Sequence, residues 1–117
     1  MPTARVRYVN TGIGHDTLTK LRDHLRRLIA QILTEVETAR PVSEDGVRLF
    51  FKKNEPFDVM PDDIFIVVEI GITERRLQAK DAIARKIHRG LVEVLDEGLK
   101  FEVQVRPVER GRAKSGG

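Results

Sequence analysis

A proline in second position gives this chain a chemical group that nothing else in the sequence offers. Initiator methionine is normally removed when the next residue is small, and Pro2 would then present a secondary amine at the head of the chain. Held in a partly apolar pocket close to cations, such an amine has its ammonium form disfavoured by desolvation and by like charge. It can then serve as a neutral base near neutral pH. Rival groups are scarce. The chain has no cysteine, which excludes thiolate chemistry and a disulfide framework, and its histidines, His15, His24 and His88, lack metal-ligand spacing. Taken alone, a Met-Pro start is an ordinary frayed terminus, so its meaning depends on the elements that hold it.

The first of these elements is a strand. Residues 3–9 alternate, with Ala4, Val6 and Tyr8 on one face and Thr3, Arg5 and Arg7 on the other. After a turn at residues 10–14, Asp16 or Thr17 can cap a helix whose apolar residues recur three or four apart from Leu18 through Leu33 to Val36. Arg40-Pro41 ends it. A short strand follows at residues 47–51, and then a loop over residues 52–63 that carries an apolar cluster, Phe57, Val59 and Met60. Residues 64–70 form a nearly continuous apolar strand of the kind found at the centre of a sheet. A second helix is expected over about residues 75–96, with Leu77, Ile83, Ala84, Ile87, Leu91, Val94 and Leu95 inward and Gly98 beyond its end. A last strand at residues 101–106 is closed by Pro107.

Strand, helix, strand thus occurs twice, about residues 1–51 and 62–105, with Lys20 matching Lys80 and Tyr8 matching Val68. Two crossovers joined in this way predict one α+β domain over residues 1–105, a four-stranded mixed sheet with two helices on one face. The other sheet face would carry Arg5, Arg7, Arg48, Phe50, Phe65, Glu69, Glu102 and Gln104. That face is too apolar in the middle for plain solvent and reads as a subunit interface. At 117 residues, the chain is marginal for a deep enclosed pocket, so a sizeable site is expected to draw on a neighbouring copy.

The net charge of +3 resides in residues 106–117, where four basic residues face one acidic one. The rest of the chain is balanced, which argues against nucleic acid as a partner, and residues 106–117 read as a basic flexible tail. With 40% hydrophobic and 33% charged residues, the composition is that of a soluble globular domain. No apolar run approaches the ~20 residues of a membrane span. The N-terminus leads into a strand pattern rather than a signal segment, so the cytoplasm is the expected compartment.

Met1-Pro2 at the first strand, the doubled unit and two arginine positions together resemble the tautomerase superfamily, whose members use an N-terminal proline freed of methionine. In small members an arginine stands shortly after the first strand, at a fixed spacing before a lysine. Arg75 precedes Lys80 at that spacing, and His15 precedes Lys20. The other family arginine is the second residue of the next strand, here Arg48, with Glu102 as its counterpart in the second half. An aromatic wall residue is expected near Phe57. Each half keeps only one arginine, so a site would combine the halves, across subunits of a homotrimer. Length and layout look most like carboxymethyl-hydroxymuconate isomerase relatives and other two-unit tautomerase-like proteins.

The resemblance implies an isomerase that moves a proton between carbons of a small enol or unsaturated keto acid. Pro2 would be the base, Arg48 and Arg75 the carboxylate and enolate ligands, Phe57 a wall, and Arg76 and His15 secondary ligands. No metal or organic cofactor is expected. Two alternatives remain open: a ferredoxin-like binding or regulatory domain, which shares the same element order, and a tautomerase-fold oligomer without chemistry.

Overall fold

The computed structural model describes residues 2–9 and 11–109. Met1, Asn10 and residues 110–117, which hold most of the expected basic tail, lie outside the described residues. In order, the elements are β1 (Thr3–Tyr8), α1 (His15–Val36), a short 3-10 turn (Glu44–Gly46), β2 (Arg48–Lys53), β3 (Ile64–Gly71), α2 (Glu74–Val92) and β4 (Phe101–Val108). The sheet order is β2-β1-β3-β4. β1 runs parallel to β2 and antiparallel to β3, and β3 runs parallel to β4. In each half the two strands joined by a helix lie side by side. A ferredoxin-like layout would split them with an intervening strand, so the sheet order sets that alternative aside.

Both helices cover the same sheet face. Ile64, Ile66, Val68 and Ile70 of β3 are fully buried, as are Ala4 and Val6 of β1, and they share one core with Leu21, Leu25, Ile29 and Leu33 of α1 and Ile83, Ile87 and Leu91 of α2. The residues between them on the strands, including Arg5, Arg7, Phe65 and Glu69, face the other way. Where the helices cross, Gly90 permits the contact: a Cβ there would lie 2.6 Å from a terminal methyl of Leu28. A second glycine, Gly12, takes a positive φ of 85° in the turn between β1 and α1, which a side chain would strain.

Several expectations are corrected. α1 starts at His15 with Gly14 as its N-cap and no side-chain cap, so neither Asp16 nor Thr17 caps it. α2 stops at Val92; beyond it the amides of Val94 and Leu95 both turn back to the Leu91 carbonyl, and Leu95 stays buried in that turn. Leu77 is 46% exposed rather than inward. At roughly 100° per residue, the stripe through Ile87 and Ile83 runs back through Ala79 to Arg76, leaving Leu77 to one side. The last strand continues through Pro107 to Val108, so Arg106, assigned to the tail by composition, is a strand residue. Proline is tolerated because β4 is an edge strand and no outer neighbour needs its missing N–H.

Candidate functional site

At the head of β1, Pro2 is buried, and its carbonyl accepts a hydrogen bond from the Arg48 amide at 3.0 Å. This bond opens the β1–β2 ladder, in which Thr3 stands opposite Arg48. Thr3 also stands opposite Glu69 of antiparallel β3, so the head of β1 lies beside the tail of β3. The first turn of α2 follows after only Ile72 and Thr73. The topology therefore brings Pro2, Arg48, Arg75 and Arg76 to one end of the sheet. Arg48 and Arg75 are exposed there, and among the described residues neither side chain has an ion-pair partner.

Arg76 is used differently. Its side chain is only 11% exposed, and its Nε lies 3.7 Å from Oε2 of Glu37, which is itself 14% exposed and follows directly on α1. At that separation the contact is an ion pair without a hydrogen bond, and Nε has no other acceptor. The same Glu37 oxygen accepts from Thr73 Oγ1 at 3.0 Å, and Thr73 Oγ1 caps α2 by accepting from the Arg76 amide at 3.1 Å. Arg76 Nη1 donates to the Gly71 carbonyl at 3.4 Å, and Arg40 approaches the other Glu37 oxygen at 3.8 Å. One carboxylate thus ties the end of α1 to the start of α2 and the tail of β3. Arg76 is a brace within the protomer, and its neighbour Arg75 is the outward cation.

His15 and Phe57 lie at the other end of the sheet. His15 opens α1 just beyond the tail of β1 and borders a shallow hollow of about 200 Å³ with Leu18, Arg22 and Phe51. Phe57 is 97% exposed in the loop between β2 and β3. That loop is built: Asp58 accepts from the Glu55 amide at 2.8 Å and pairs with Arg7 at 2.9 Å, so Phe57 and Val59 are held out into solvent. Neither residue meets Pro2 within one protomer. On the open sheet face, Arg5 pairs with Glu69 at 3.1 Å and lies 5.3 Å over the half-exposed ring of Phe50. Glu37 escaped the sequence reading. The available signal was a lone acid just past a long helix, which does not reveal its partner.

Comparison with solved structures bears on this architecture. Leishmania major MIF2 superposes with a TM-score of 0.62 at 13% identity, over 97% of this chain and 93% of that one. Pt0534 inactivated by 2-oxo-3-pentynoate gives 0.61 at 15% identity, over 98% and 93%. A fused 4-OT, described as a symmetric trimer, gives 0.55 at 15% identity over the same shares. The chain has the tautomerase fold. No family model and no curated relative matches the sequence.

Within this tautomerase fold, strand pairing and the buried face restrict how the two halves correspond. Ala4 is inward and pairs with Leu49; Ile64 is inward and pairs with Phe101. Matching Ala4 to Ile64, the 60-residue offset that also relates Lys20 to Lys80, sets Pro2 against Asp62 and Arg48 against Lys100, while matching Ala4 to the equally buried Ile66 keeps the same ladders and sets Arg48 against Glu102. Among the described residues there is no cluster of His, Asp and Glu suited to a metal ion, and no helix long and apolar enough to cross a membrane.

Proposed function

We propose that this protein is a cofactor-independent cytoplasmic tautomerase that moves a proton between carbons of a small enol or unsaturated keto acid. One observation carries the reading: the carbonyl of Pro2, at the head of a central strand, accepts the Arg48 backbone amide at the sheet end where the first turn of α2 carries Arg75, which has no ion-pair partner among the described residues. Removal of Met1 frees the proline nitrogen. As base, it takes a proton from the carbon next to the carbonyl and returns it to a different carbon, so the substrate is isomerised with no net loss of atoms. The guanidinium of Arg75 or Arg48 holds the carboxylate through paired hydrogen bonds and steadies the dienolate charge.

The wall that Phe57 would supply must come from another copy, since it lies at the far end of its own sheet. A homotrimer answers this need and covers the exposed Phe50, Phe57 and Val59. The fused 4-OT of the same fold, a trimer, supports the reading. Sedimentation equilibrium should then give about three times the 13.3 kDa chain mass, and a monomer at micromolar concentration would remove the shared site. For the chemistry, intact mass after exposure to 2-oxo-3-pentynoate, the inactivator of Pt0534, should show one adduct on the Met1-free protein, mapped to Pro2. Retention of Met1, or an adduct elsewhere, would overturn the assignment of Pro2.

A further inference from the structure

At the start of β3, the opposite end of the sheet from Pro2, the molecule has a cleft of about 460 Å³ beside Asp62, within the range of small-molecule sites. It lies between the last turn of α2, the turn leading to β4, and the starts of β3 and β4. Its apolar lining includes Val92 and Leu99, and one wall is the His88 imidazole stacked on Phe101, ring centroids 4.3 Å apart and 19° from parallel. The base is rigidly built. The Lys100 amide donates to Asp63 Oδ2 at 2.9 Å, and the Lys100 carbonyl accepts from the amides of Asp63 and Ile64 at 2.7 and 3.1 Å. Charge at this cleft has the opposite sign to that around Pro2: Asp62, Asp96 and Glu97 line it, with Lys100 as the one lysine among its lining residues.

We propose that the cleft is a second ligand site, which takes small amines in their cationic form with an apolar ring or chain. The ring lies over the apolar lining beside the His88–Phe101 stack, and the ammonium meets the carboxylates of Asp96, Glu97 and Asp62. Anionic ligands of the same shape are repelled by those carboxylates, and Asp62 has no amine with which to repeat the proline chemistry. The site does not depend on the reaction assigned to Pro2.

Phenethylamine, phenylacetate and 2-phenylethanol carry the same ring with positive, negative and no charge. Titrated into the ¹⁵N-labelled full chain, phenethylamine should shift the backbone amides of Val92, Leu99, Lys100 and Phe101, and should bind on the order of tenfold or more tightly than phenylacetate, with 2-phenylethanol between. The double variant Asp96→Asn, Glu97→Gln, with both changes at exposed positions, should weaken phenethylamine by a similar factor and leave 2-phenylethanol unchanged. Pro2→Ala should alter neither titration, so a failed Pro2 mechanism does not affect the result. Phenylacetate binding as strongly as phenethylamine, shifts mapping to another surface, or full affinity in the double variant would each overturn the proposal.

Discussion

The two ends of the sheet share a backbone plan and differ in how their charges are held. At the Pro2 end, a strand head, a neighbouring strand start and two helix termini converge, and an almost buried carboxylate, Glu37, braces them through Arg76 and Thr73. Outward cations remain, Arg48 and Arg75. At the Asp62 end, the equivalent junction is braced by backbone and by Asp63, and the outward charges are mainly acidic. A repeated scaffold thus ends in two junctions whose margins differ in charge, basic at Arg48 and Arg75 and mainly acidic at Asp62, Asp96 and Glu97.

The sharpest test of that contrast removes the brace. Glu37→Ala leaves the Arg76 guanidinium nearly buried without its ion partner, and urea unfolding should show a loss of about 3 kcal/mol or more. Asp96→Asn, at the exposed rim of the other end, should leave the unfolding midpoint within error. Equal losses would mean that the two ends are held in the same way.

Next comes Pro2→Ala, which keeps a primary amine but loses the secondary one. Turnover of an unsaturated keto acid by the Met1-free protein should fall ~10²-fold or more, whereas Asp62→Asn should leave it unchanged. Full turnover in Pro2→Ala would dismiss the proline. Arg48→Ala and Arg75→Ala should each weaken a substrate-like carboxylate by roughly 1.5–3 kcal/mol, and lysine should restore only part of that. If calorimetry finds wild-type affinity in both, the anion is held elsewhere.

The smallest expected effect lies between the halves. Gly90→Ala gains helix propensity of up to about 1 kcal/mol but brings a Cβ to 2.6 Å from Leu28, whose side chain must shift. The expected outcome is a net destabilisation of about 1 kcal/mol, reversed when Leu28→Ala is added. A stabilised single variant would show that the helix crossing has slack.

The elements were legible because each writes a period into the sequence. The alternation around Val6 and the three-and-four spacing from Leu21 to Leu33 give strand and helix directly, and the doubled order gives the layout. Element ends were less legible: the Gly14 cap carries no side-chain signal, and Pro107 reads as a terminator although an edge strand accepts it. The site was legible in part. Pro2, Arg48 and Arg75 stood out by position, but two adjacent arginines cannot be told apart until the helix phase is known. Only the line through Ile87 and Ile83 sends Arg76 inward and Arg75 outward. His15 and Phe57 look close to Pro2 along a motif and lie at the opposite end of the sheet once β1 is given a direction.

Pro107 bears on how copies of the protein can join. A strand added along the free edge of β4 would find donors and acceptors in step until it reached that residue, and there one donor is missing. Any guest strand must finish or bulge at that point. The edge therefore carries a built-in stop that limits how far a guest strand can extend the sheet.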